Sequence, residues 1–349
     1  MTRQAFFSLL TVAALLLLGS PDVEAQRTSP DIDRSGTTGA TYLMLPLTAR
    51  SASLGTAVTG GVNDMNGLEA SFHNPAGLNL NDGTGVLFSR MSYVADIGVN
   101  YFGVSQQFSN NSVGLTVSSW DFGDIPEQTV ENPEIIDNRT WSATYVTVGL
   151  SYARMFTDRI SAGITTKVIS ESMADDMSAN GIAFDAGMNY LVGDTGLRFG
   201  VALKNFGPAL KYAGDGLVRE AQFQGERQTR TATIRAANFE LPSLLNFGVS
   251  YTYDVGASSA LTVLSNFRSN ANSRDQFSGG LELNLRDLLS VRGGYQWQEN
   301  IDDRNFYKGW NVGAGLNLEF QGNRLAVDYA YRAAEFFSNI QLITASVTL

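Results

Sequence analysis

The chain has 349 residues, 34 acidic against 24 basic side chains, a net charge of −10 and no cysteine. That balance excludes nucleic acid as a partner, because phosphate binding needs clustered Lys and Arg. The absent thiols exclude a disulfide scaffold and a thiolate metal site. A mean hydropathy near zero, with 17% charged residues, 11% aromatics and 35 glycines, is too polar for a bundle of membrane helices. It suits a β-barrel, in which lipid-facing and lumen-facing residues alternate along every strand.

The first element is a cleavable export signal over residues 1–25. Arg3 gives the positive end, residues 5–18 form an apolar run too short to span a bilayer, and Gly19, Ser20 and Pro21 break it. Val23-Glu24-Ala25 places cleavage before Gln26. Residues 26–40 are polar, with Pro30, Gly36 and Gly39, and read as a flexible leader. Residues 41–85 are rich in Gly and Ala without sustained alternation, and the two stretches together, 26–85, are expected to form leader and N-terminal plug. No later stretch reaches the ~18 apolar residues of a membrane helix.

Residues 86–349 alternate almost without pause. Trp310, Val312, Ala314, Leu316, Leu318 and Phe320 share one face, opposed by Asn311, Gly313, Gly315, Asn317 and Glu319. Leu245, Phe247, Val249, Tyr251 and Tyr253 likewise oppose Asn246, Gly248, Ser250, Thr252 and Asp254. A period of two puts each set on one side of a sheet, over about the ten residues that a tilted strand needs to cross a bilayer. About fourteen such segments start near Val86, Val99, Ser112, Ala143, Ile160, Gly181, Leu197, Leu244, Ala260, Gln276, Ser290, Tyr307, Arg324 and Ile340. Tight turns such as Asn110-Asn111, Thr157-Asp158 and Arg286-Asp287 alternate with mostly longer connections, of which residues 121–140 and 207–243 are the longest. Outer-membrane barrels combine short periplasmic turns with long outer loops. A soluble sandwich is the rival, but it must hide so many apolar faces in one core. The predicted class is therefore all-β: a 14-stranded antiparallel transmembrane β-barrel, in the outer membrane, with a plug inside its lumen.

Trp120, Trp141, Tyr152, Tyr190, Tyr253, Trp297, Phe320 and Tyr331 fall near predicted strand ends, where interfacial aromatic girdles belong. Lys167, Asp185, Arg198, Lys204, Asp254, Glu282, Arg286, Arg292, Arg324, Asp328 and Arg332 are predicted to face the lumen, with signs mixed enough for ion pairs.

The stretch from Tyr42-Leu43-Met44-Leu45-Pro46-Leu47 through Ala49-Arg50 and Leu54-Gly55-Thr56-Ala57, followed by Asn74-Pro75-Ala76-Gly77-Leu78, resembles the PorV/PorQ family of outer-membrane proteins. That family is itself similar to the FadL group of barrels. One departure is Phe72-His73, where an aromatic pair is expected before the Asn. The resemblance implies a fourteen-strand barrel with a hatch inside it. It also implies one of two roles: receiving exported proteins in type IX secretion and surface attachment, or passing small hydrophobic molecules through the membrane. The first is the leading expectation, the second its alternative, and a structural subunit of a larger complex a third. Transport would show as an apolar pocket beside Asn74, Pro75, Ala76, Gly77 and Leu78 and a break in the wall, expected near residues 98–106.

Pro75 holds Asn74 extended, Asn74 can bond nearby amides, and Gly77 permits a positive φ, so the block also reads as a compact turn that seats the plug. Enzyme chemistry is not expected. His73 is the only histidine, and a Ser-His-carboxylate site on the wall would have no base. No metal or cofactor is expected either. Asp175-Asp176 and residues 299–303 lack calcium-loop spacing. The candidate partner-binding positions are Asp124, Glu127, Glu131 and Glu134 in an acidic loop, with Arg227 and Arg230 in the longest loop. Loops carry binding function, although ordinary solvated charge is the simpler reading of the same residues.

Overall fold

The computed structural model describes residues 38–80, 83–126, 128, 140–173, 177–222, 228–256, 258–298, 307–335 and 337–349. The export signal and most of the leader, Glu127, Glu131, Glu134, Arg227, Asp175-Asp176 and residues 299–303 lie outside the described residues.

Alternation produces fourteen strands: β1 (Thr84–Ser92), β2 (Gly98–Phe108), β3 (Asn111–Asp121), β4 (Thr144–Thr157), β5 (Ile160–Met173), β6 (Met177–Leu191), β7 (Leu197–Phe206), β8 (Leu244–Gly256), β9 (Ser259–Asn270), β10 (Gln276–Leu285), β11 (Leu289–Gln298), β12 (Tyr307–Phe320), β13 (Asn323–Ala334) and β14 (Ile340–Thr348). Each pairs antiparallel with its neighbours in sequence, and β14 pairs with β1 to close the barrel. Closure leaves no edge, so every strand can satisfy its backbone inside a bilayer.

The faces separate as the period of two requires. Phe88, Leu150, Ile164, Phe247, Leu281, Trp310 and Ile343 stand exposed on the outer wall, while Ser89, Ser151, Thr165, Asn246, Glu282, Asn311 and Thr344 are buried in the lumen. An apolar surface running around the whole barrel has no place in water. It is the hydrocarbon-facing wall of an outer-membrane barrel. Among the described residues no helix is long and apolar enough to cross a membrane, and the strands do the crossing.

Four sequence expectations change. Trp120 is 2% exposed and points into the lumen, so it is no girdle residue; it shares parity with Ser112 and Ser118 on β3. Arg286 is exposed in a tight turn at φ 57°, beyond the end of its strand. Asp254 is exposed at the turn-side end of β8. Residues 98–106 show no break: β2 pairs in continuous register with both neighbours. The wall is instead irregular between β6 and β7, where the register shifts between Phe184 and Ala186 and Asn205 has a φ of 56°. This is a β-bulge, which disturbs pairing locally.

Residues 38–80 fill the lumen as a hatch. A 3₁₀ turn (Thr41–Met44) is followed by the short helices α1 (Ala49–Ser53) and α2 (Gly67–His73) and a second 3₁₀ segment (Pro75–Leu80). The Asn66 side chain caps α2 by accepting from Leu68 N at 2.9 Å. The hatch runs lengthwise. Gly39 N donates to Glu240 O at 3.1 Å in the longest outer loop, and Thr84 N donates to Leu349 O at 3.1 Å at the opposite, tight-turn end.

Inward glycines give the hatch its bed. A Cβ at Gly163 would meet the Pro75 carbonyl carbon and oxygen at 2.6 Å, one at Gly248 would meet Gly60 N at 2.5 Å, and one at Gly280 would meet Leu54 O at 2.7 Å. Gly187, Gly200 and Gly294 lie equally close to Asn74, Thr59 and Gly55. A methyl group at these places would overlap main chain that has nowhere to go.

Candidate functional site

The motif block lies at the foot of the hatch. The Asn74 amide nitrogen donates to Thr59 O at 3.1 Å, Met188 O at 3.2 Å and Asn189 Oδ1 at 2.6 Å, and Asn74 Oδ1 accepts from Ala76 N at 3.1 Å. Pro75 and Ala76 rest against Gly163, Gly77 packs against Ala70, and the Leu78 side chain lies beside Gly114. These residues are buried and join β5 and β6 to the hatch.

A second join is ionic. Arg50 of α1 donates to Glu282 on β10 through Nε at 2.8 Å and Nη2 at 2.6 Å, and to the Asp64 and Asn63 carbonyls at 3.0 and 2.9 Å. Arg292 on β11 reaches Glu282 at 2.5 Å and also pairs with Asp328 on β13. Arg324 pairs with Asp64 at 3.1 Å and Arg198 donates to Asn63 Oδ1 at 2.7 Å. Lys167 pairs with Asp185 at 2.5 Å, while Lys204 Nζ sits 4.1 Å from the Phe72 ring centroid. Arg332 donates to Asn311 and to Gln296, and Gln296 in turn bonds Gly55 O and Thr56 Oγ1. Most of the predicted lumen charges thus meet partners on the wall or the hatch.

Glu69 and His73 of the hatch have shifted acidity. Burial first, then the nearby Asp328 charge, raises the Glu69 carboxyl to about 7. Burial, then Lys204, holds His73 well below its ordinary value, so the single histidine is neutral. Among the described residues no group of three or more His, Cys, Asp or Glu is placed to hold a metal ion.

Of the loop candidates, two lie among the described residues. Asp124 is exposed beside the short pair Ile125–Pro126 and Thr140–Trp141, and Arg230 is exposed on the hairpin of Val218–Gln222 with Thr229–Thr233.

The sequence reading missed a cavity at the outer mouth, of about 470 Å³. Its floor is hatch (Tyr42, Leu45), its wall is Trp120, Tyr145 and Glu171 from the ends of β3, β4 and β5, and loops add Tyr93, Phe122, Tyr212 and Phe239. The rings form a continuous lining: Tyr42 lies 5.5 Å from Trp120 and 5.2 Å from Tyr145, Tyr93 lies 5.7 Å from Trp120, and Phe122 lies 4.7 Å from Tyr145, centroid to centroid. Below it a smaller pocket of about 40 Å³ shares Tyr42 and Trp120 and extends to Leu47, Phe72 and Tyr101. The volume and aromatic lining of the outer cavity suit a small apolar ligand. Parity was the available signal, since Tyr101, Trp120, Tyr145 and Glu171 all lie on the lumen register of their strands.

With the fold and cavity described, comparison defines the class. No family model matches the chain, and no curated protein matches it. Solved structures do. The Pseudomonas putida toluene transporter TodX covers 85% of this chain and 96% of its own at 12% identity, with a TM-score of 0.52. CymD, a monoaromatic hydrocarbon channel, covers 86% and 96% at 11% identity and 0.53. A Pseudomonas aeruginosa FadL homologue covers 87% and 98% at 13% identity and 0.51. At such identities the likeness is one of fold: this chain is an outer-membrane barrel of FadL-like architecture.

Proposed function

We propose that the barrel binds small hydrophobic molecules at the cell surface and admits them to the membrane. The observation that carries this reading is the aromatic cavity of about 470 Å³ at the outer mouth, joined through Tyr42 and Trp120 to a pocket inside the lumen. The fold neighbours point the same way, being a toluene transporter and a monoaromatic hydrocarbon channel. The bulge at Asn205 supplies a weak place in the wall near the inner pocket's Lys167, which donates to Asn205 Oδ1 at 2.8 Å. Barrel bulges commonly sit beside functional sites.

The leading sequence expectation, a role with exported proteins, rests on the motif at Asn74 to Leu78, where Asn74 bonds Thr59, Met188, Asn189 and Ala76 of hatch and wall. Nothing in that geometry favours a protein partner over a small ligand, and the solved neighbours lend the export role no support.

The test is uptake of labelled toluene by cells making the protein. Uptake should exceed that of cells without it, and should fall when Thr41→Trp narrows the outer cavity. Background-level uptake, together with an exported protein bound in stoichiometric amount, would reverse the choice between the two readings.

A further inference from the structure

The outer cavity is aromatic, yet one of its walls carries a carboxylate that a pure hydrocarbon site has no use for. Glu171 is 2% exposed. Its Oε2 accepts the Tyr212 hydroxyl at 2.6 Å, but Oε1 is buried with no hydrogen-bond partner, and among the described residues no cation pairs with it. The Tyr42 hydroxyl lies near it and near Thr147 Oγ1, and neither hydroxyl makes a short hydrogen bond. A buried carboxylate oxygen left unbonded is costly, and the cost disappears when a donor or cation meets it. Elsewhere in the lumen the carboxylates of Glu282, Asp328 and Asp185 all meet a basic side chain. Glu171 has no such partner; nor does Glu69, but Glu69 accepts from Ser51 N at 3.3 Å inside the hatch, whereas Glu171 faces the cavity.

We infer that this cavity selects an apolar molecule ending in a protonated amine, its ammonium held by Glu171 Oε1 and its hydrocarbon body packed among Tyr42, Trp120 and Tyr145. The inference rests on the hydrophobic-ligand reading above and names the ligand class. Tyrosine and tryptophan faces attract organic cations, so the lining serves the head group as well as the body. On the β3 side of the rim the surroundings agree in sign, while Lys211 stands beside Tyr212 on the other. Asp121 and Asp124 are exposed beside the rim residue Phe122, and the chain as a whole carries −10. Such a field gathers cations and repels carboxylates, which disfavours a fatty-acid anion at this mouth. Tyr42 and Tyr212 stay neutral hydroxyls here, since burial and then contact with Glu171 raise both well above the ordinary phenol value. Both therefore remain able to donate.

The experiment is calorimetric titration of the full-length protein in lipid nanodiscs, with empty nanodiscs as blank. The probes are 2-phenylethylamine (an ammonium at neutral pH), ethylbenzene (nearly the same shape without the head group) and 3-phenylpropionate (an anionic head group). On the unaltered protein the amine should bind at least about tenfold more tightly than ethylbenzene, the margin a charge-assisted hydrogen bond provides, with phenylpropionate weakest. Glu171→Gln should erase that margin. Ethylbenzene binding as well as the amine overturns the inference and leaves hydrocarbon transport standing. Failure of all three probes to bind removes both. The comparison of probes needs no variant, so poor folding of Glu171→Gln would not blunt it.

Discussion

The two ends of the lumen are built on opposite rules. Below the outer mouth, hatch meets wall main chain to main chain over inward glycines, and polar groups such as Arg50, Asn74 and Gln296 are closely matched to partners. At the outer mouth the wall carries bulky rings, stands off the hatch, and keeps buried polar atoms unbonded. A glycine-lined contact of main chain on main chain holds one shape, even with His73 Nε2 and Asn79 Nδ2 left unbonded within it. An aromatic space with spare hydrogen-bonding capacity waits for a guest. The same segment therefore acts as fixed filling below and as the floor of a receptacle above.

The sharpest way to break this contrast is at Arg50. Arg50→Ala leaves Glu282 with Arg292 alone and strips two hatch carbonyls of their donor. Disrupting a buried pair costs about 3–5 kcal/mol. Limited proteolysis should then cut the hatch in an intact barrel; full protection would show that the ionic join is dispensable. Next is Gly163→Val, which pushes into Pro75. Overpacking costs about 1–3 kcal/mol, visible as raised hydrogen exchange in residues 75–80, while the outer cavity and its ligand binding should be unaffected. A pH change should act more gently through Glu69. Its carboxyl, raised to about 7 in the fold, stabilises the seated hatch fully below the unfolded value of about 4.5, and that contribution fades as pH rises through 7. Amide protection of α2 should drop between pH 5 and 8, and Glu69→Gln should flatten the profile; a profile of the same slope in the variant would rule Glu69 out as its source. Smallest of all are Asp124→Asn and Arg230→Gln, exposed loop changes expected to move stability by less than about 0.5 kcal/mol. A measurable loss of hydrophobe uptake in either would bring the outer loops into the binding site.

The strand pattern was legible because a bilayer enforces it: an apolar residue on the wrong parity is wetted, and a charge on the wrong parity is desolvated. Segments expected near Val99, Ile160, Gln276 and Ile340 accordingly begin at Gly98, Ile160, Gln276 and Ile340. Arg286 was placed in the lumen by carrying the parity past the end of β10, and Asp254 by carrying it to the last residues of β8, where the strand emerges and the side chain lies exposed. Trp120 failed for a different reason. An aromatic near a strand end satisfies both a girdle and a cavity, and only its parity with Ser118 tells them apart. The cavity itself was illegible because it assembles side chains from residues 42 to 239 that no local pattern connects. The bulge at Asn205 gave no warning either, since a non-glycine residue in the left-handed region leaves little trace in sequence beyond asparagine's tolerance for it.

The lengthwise run of the hatch has a mechanical consequence. It is tied to the outer loop through Gly39 and Glu240 and passes covalently into β1 at the opposite rim. A strap fastened at both rims cannot leave like a cork or swing like a door. Any passage past it has to come from slack between the fastenings, and the length of chain available for slack is that between Ala40, at the floor of the outer cavity, and the anchored turn at Arg50.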